Sequence, residues 1–111
     1  MGNEQKPPTR GKRRLRIIKQ LVANRDYHYS NKVQQLLEEG VFELEDMERC
    51  VLTANSVQKV EADELKTAVD HCKYTIIGWD THEQAFYTCG KIIRSDEDQK
   101  LYFFITAHDQ Q

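Results

Sequence analysis

Four residues in the second half of the chain carry side chains suited to phosphodiester chemistry: Tyr87, Lys91, Tyr102 and His108. Histidine exchanges protons near neutral pH. Lysine can hold positive charge against a phosphorane-like transition state, and tyrosine can stack on a base or position a phosphate. In an extended segment Tyr87 and Lys91 share one side, and so do Tyr102 and His108. With the ribose 2′-hydroxyl as internal nucleophile, such a site needs neither metal nor cofactor. The same residue types also furnish the wet face of an ordinary half-exposed antiparallel sheet, and alternation alone does not separate the two readings.

Rival chemistries find less support. His28, His71, Cys72, His82 and Cys89 lack the short ligand spacings of a zinc site. Three cysteines, Cys50, Cys72 and Cys89, are an odd number with no C-x-x-C pair, which argues against a disulfide framework. Cys50 and Cys89 read as small buried hydrophobes. His28 precedes a helix, where an anion could bind, although a partly buried histidine bonded to a backbone carbonyl is the plainer expectation.

Charge is unevenly placed. Residues 1–25 hold eight basic groups against Glu4 alone, while the remaining 86 hold eight basic and seventeen acidic groups. A basic arm on an acidic body results, and Arg13, Arg14, Arg16 and Lys19 are its candidates for nucleic-acid contact through counterion release. A solubilising tail folded back on the acidic body would have the same composition.

These residues need elements to position them. Residues 1–11 hold both prolines and two of the five glycines, and read as a disordered basic lead-in. Leu15, Ile18 and Val22, flanked by Ile17 and Leu21, predict an amphipathic helix over 12–24. Ser30 suits an N-cap for a helix over 31–39 that ends at Gly40. A third helix is predicted over 43–53, with acidic residues in its first turn. Strands follow over 57–61 (weakly), 73–79, 84–93 and 101–108, while 62–72 reads as helix or ordered loop. In the last strand, alternation places Leu101, Phe103, Ile105 and Ala107 in the core, with Tyr102, Phe104, Thr106 and His108 on the other side.

The expectation is an α+β fold in which N-terminal helices pack on a mainly antiparallel sheet of three to four strands. A chain of 111 residues, 39% apolar and 31% charged, has room for one domain, placed here at 12–108 with a tail at 109–111. No apolar run reaches the length of a membrane span and no signal peptide is evident. A reduced, cytoplasmic location is the default expectation.

The order His28, Glu39-Gly40-Val41, Leu44-Glu45-Asp46-Met47-Glu48, Tyr74 to Gly78 and the closing Tyr102-Phe103-Phe104-Ile105-Thr106-Ala107-His108 resembles a group of small bacterial domains of unknown function. That group is similar to BrnT and, more distantly, to the RelE-type toxins, and the resemblance covers about residues 27–108. It implies helices on an antiparallel sheet and an endoribonuclease that cleaves mRNA and is neutralised by a small antitoxin. Lys91, Tyr87, Tyr102 and His108 are the residues that would do that work. The alternative is a non-catalytic module whose basic helix binds nucleic acid or a partner, and whose sheet face, with Trp79 and the tyrosines, meets protein.

Overall fold

The computed structural model of the chain describes residues 10–109. Helix α1 (Arg10–Ala23) buries Leu15, Ile18 and Val22 and leaves Arg13, Arg16 and Gln20 exposed, as the helical spacing requires. Arg10 and Gly11, assigned above to a lead-in, belong to this helix; the rest of that segment, and residues 110–111, lie outside the described residues. The chain then turns through Arg25, whose φ is 61°, into strand β1 (Tyr27–Tyr29).

Ser30 caps helix α2 (Asn31–Glu38). Its Oγ accepts from the Val33 N–H at 3.2 Å and donates to the Ile105 carbonyl at 2.9 Å, fixing the helix start to the last strand. Gly40, with φ of 75°, ends the following turn. Helix α3 (Leu44–Thr53) opens on a capping box between Glu43 and Asp46 and buries Met47, Cys50 and Val51.

Four further strands complete one sheet: β2 (Lys59–Ala62), β3 (Cys72–Trp79), β4 (Ala85–Arg94) and β5 (Lys100–Asp109). Their order is β1-β5-β4-β3-β2, antiparallel except where β1 runs parallel to β5. The sheet is therefore five-stranded and mixed, not three- to four-stranded. Tyr27–Tyr29 is too short to display a period, and its neighbour β5 lies far along the sequence, so composition gave no sign of β1. Asp109 belongs to β5 and not to a tail.

All three helices lie on one face. Helix α3 rests on β3 and β4, and α1 and α2 rest on β5. The closest approach is at Gly78, where an added Cβ would run into the Cys50 carbonyl of α3. The core beneath contains Tyr74, Ile76, Phe86, Ile92, Tyr102 and Phe104.

A register shift between Cys89 and Gly90 corrects the predicted faces of β5. Gly90 pairs with Phe104 and Cys89 with Thr106, so Ile105 is an extra residue in β5. Tyr102, Phe104 and Ala107 consequently all face the helices. Strict alternation placed Tyr102 and Phe104 outside. It failed because Leu101 to Ile105 is apolar throughout, so hydrophobicity did not select a face, and the bulge reverses the parity beyond it.

Residues 63–71 form an ordered loop between β2 and β3, resolving the helix-or-loop alternative. The Asp63 carboxylate accepts from the Thr67 and Ala68 N–H groups at 2.9 and 2.8 Å. Lys66 and His71 take positive φ at its turns. Among the described residues, no helix is long and apolar enough to cross a membrane.

Candidate functional site

Register places the outward-facing residues in rows across the uncovered sheet face. Ile77, Tyr87 and His108 form one row, Lys59, Thr75, Cys89 and Thr106 the next, and Lys91, Phe103 and His28 lie further along. Trp79, opposite Ala85, stands diagonal to Tyr87 and is 52% exposed. Trp79, Tyr87 and His108 thus gather at one corner.

Within that corner the Tyr87 and His108 rings stack, with centroids 4.4 Å apart and planes 21° from parallel. His108 Nδ1 lies 3.0 Å from the Asp109 carbonyl. A carbonyl oxygen only accepts, so this contact selects a hydrogen on Nδ1 and leaves Nε2 as the atom available to a ligand. Strand β1 ends opposite Phe104, so it does not flank His108 on the side away from Tyr87.

The corner is held in place by its turn. Asp80 Oδ1 accepts from the His82 and Gln84 N–H groups at 2.8 and 2.9 Å. Asp46 Oδ1 of α3 accepts from Thr81 N–H at 3.0 Å and from its hydroxyl at 2.7 Å. Burial opposes ionisation of Asp46, but the Glu43 amide and the two Thr81 donors outweigh it and hold the carboxyl below its usual range.

Lys91 shares the face with Tyr87 and His108 but does not meet them. Four residues along β4 separate it from Tyr87, which is about 13 Å of extended chain. Its Nζ contacts Asp63 Oδ1 at 3.1 Å, and both side chains are buried where the 63–71 loop crosses this end of the face. Burial works against the Asp63 carboxylate, yet the Ala68 amide, Lys91 and the Thr67 amide together keep it below the ordinary carboxyl range.

Tyr102 lies on the opposite, helix-covered face, fully buried and edge-on to Phe104. Among the described residues its hydroxyl has no hydrogen-bond partner, and burial raises its pKa well above the usual value. The four predicted catalytic residues therefore do not converge: two stack in the open, one is ion-paired under a loop, and one is core.

The basic residues of α1 belong to the helix layer, on the other side of the sheet. Arg13 and Arg16 are exposed, Arg14 Nε pairs with Asp70 at 3.0 Å, and Lys19 Nζ donates to the Leu52 carbonyl at 3.1 Å. His28 is exposed beside Phe103, not partly buried as expected. Cys50 and Cys89 are buried, and burial pushes the Cys50 thiol up to about 11. No group of three His, Cys, Asp or Glu among the described residues is arranged to hold a metal ion.

Charge distinguishes the uncovered face from the rest of the surface. Its outward-facing strand positions carry a single carboxylate, Glu61, which pairs with Lys59 at 3.2 Å and lies opposite Lys73. The remaining acidic residues of the body sit on α2, α3, loops and turns, or, for Asp109, on the helix side of β5.

The chain has no match among protein-family models, curated proteins or solved structures. Two features of the site were absent from the sequence reading. Asp63 could not be matched to Lys91, although a lysine inside the run Thr88-Cys89-Gly90-Lys91-Ile92-Ile93 signals burial and hence a partner. The Tyr87–His108 stack depends on a register that the bulge sets.

Proposed function

We propose that this chain is a single-stranded RNA-binding module and that its uncovered sheet face is the binding surface. The Tyr87–His108 stack on a face with one, neutralised, carboxylate carries the reading. Unpaired bases bind sheet faces by stacking on aromatic rings, and their edges take polar contacts. A base laid on the free side of His108 extends the row from Ile77 through Tyr87, while Trp79 offers a second ring at the same corner. The acidic surplus elsewhere is screened over distances beyond about 8 Å at physiological salt.

A ribonuclease of the RelE/BrnT type is the second reading, favoured by an exposed histidine beside a tyrosine hydroxyl. His108 would then act as acid or base alone, with Lys91 and Tyr102 serving the fold.

Fluorescence anisotropy with a labelled single-stranded oligoribonucleotide tests the proposal. Binding that weakens roughly tenfold in Tyr87→Ala and in His108→Ala is expected from the loss of one stacking contact. Absence of binding by the folded wild-type protein overturns it. Denaturing gels of the same mixtures separate the readings: intact RNA supports the binding module, whereas metal-independent cleavage that disappears in His108→Ala makes the chain a nuclease.

A further inference from the structure

Strand β2 is one outer strand of the sheet, and its free edge bears a self-complementary sequence. Hydrogen-bonded pairing with β3 is fixed by Asp63 N–H donating to the His71 carbonyl directly opposite, at 2.9 Å. Alternation then directs the backbone groups of Glu61 and Lys59 toward β3, and those of Val60 and Ala62 toward the free edge. Lys59 and Glu61 project onto the uncovered face, where their side chains are 63% and 40% exposed. Val60 projects to the other side and is itself 44% exposed.

We propose that two copies of this chain associate through β2, antiparallel, with Val60 opposite the Val60 of the second copy. In that register the two Val60 residues exchange a reciprocal pair of backbone hydrogen bonds. Lys59 of each copy stands opposite Glu61 of the other, so both charged pairs are complementary. A slip of two residues in either direction sets lysine against lysine or glutamate against glutamate. A slip of one residue puts the charged side chains on the wrong face. Lysine on an edge strand ordinarily discourages pairing; here each Lys59, already 3.2 Å from Glu61 of its own chain, gains a second carboxylate, the Glu61 of the other copy, in this register.

The surroundings of the edge accommodate a second strand. An open cleft of about 460 Å³, lined by residues 55–60 and by Lys12 of α1, adjoins the start of β2 and leaves space beside the edge. The dyad of such a pairing is perpendicular to the sheet. It joins the two sheets into one of ten strands, with every helix on one side and the two uncovered faces continuous on the other. The association does not depend on RNA binding.

Sedimentation velocity over a wide protein concentration range tests this directly. Wild-type protein is expected to pass from monomer to dimer as concentration rises. Val60→Pro removes the outward N–H at the dyad without touching the bonds to β3, since proline is tolerated on an edge strand when its N–H would face solvent. This variant should retain its circular dichroism and remain a monomer. Lys59→Glu should also stay monomeric, whereas Lys59→Glu combined with Glu61→Lys should dimerise again. A wild type that stays monomeric throughout overturns the proposal, as does a dimer indifferent to Val60→Pro and Lys59→Glu, or a double variant that fails to recover. The exposed charge variants decide the matter even if the proline variant does not fold.

Discussion

Lys91 Nζ sits 3.1 Å from Asp63 Oδ1, 28 positions apart in sequence and with both side chains buried. The pair closes the 63–71 loop onto the sheet, because the same carboxylate also receives the Thr67 and Ala68 amides. A lysine engaged in this way holds a loop and is not available to a substrate.

Removing one partner of the pair strands a buried charge. Lys91→Ala should therefore lower the unfolding free energy by about 3 to 5 kcal/mol, measured by urea denaturation. Lys91→Met with Asp63→Asn should recover most of that loss, since asparagine's carbonyl still accepts the two loop amides. A double variant as unstable as Lys91→Ala would show that the charge pair is not the source of the effect.

Acid should weaken the fold through Asp46 and Asp63. Both carboxyls are held below the unfolded value of 3.8, so in the window beneath it the unfolded chain binds more protons than the folded one. Their contribution is complete well above that pH and drains as the pH falls through the folded values. Thermal melts should decline as the pH approaches 3.8 and more steeply below it, and Asp46→Asn or Asp63→Asn should each flatten that decline. An unchanged acid limb in both variants would refute this assignment.

Tyr102 offers a prediction of the opposite sign. Its buried hydroxyl lacks a partner among the described residues, so Tyr102→Phe removes a desolvated polar group and preserves the ring. Stability should rise by about 1 kcal/mol. A catalytic tyrosine would behave otherwise, with RNA chemistry falling while stability held.

Gly78 is where α3 comes closest to the sheet, and any side chain there collides with the Cys50 carbonyl. Gly78→Ala should cost about 3 kcal/mol by displacing α3. Gly40→Ala, where the added carbon meets nothing but φ is 75°, should cost about 1 kcal/mol from backbone strain alone. Equal losses at the two sites would contradict the close helix–sheet approach.

Local patterns made much of this fold legible. Leu15, Ile18 and Val22 marked α1, Ser30 and Gly40 bracketed α2 and its turn, and the β-branched and aromatic runs located β3, β4 and β5. Tyr-His-Tyr at β1 was invisible because three residues show no period and the partner strand is remote. In β5 the apolar run left the face undecided, and one inserted residue reversed the outcome for Tyr102. Among the site residues, Tyr87 and Lys91 were correctly placed on one side of β4. Their separation into an open stack and a closed ion pair came from Asp63 and His108, contributed by other segments.

The parallel joint between β1 and β5 has a consequence for synthesis. Ser30 bonds to Ile105 across 75 positions, and β5 occupies an inner place in the sheet although it is the last of the five strands in chain order. A chain emerging from the ribosome can form its helices and the β3–β4 hairpin early, but β1 has no strand to join until β5 emerges. Up to that moment the β4 edge, with Phe86 and Ile92 on its core side, stands open, and the nascent chain is exposed to mispairing until β5 docks between β1 and β4.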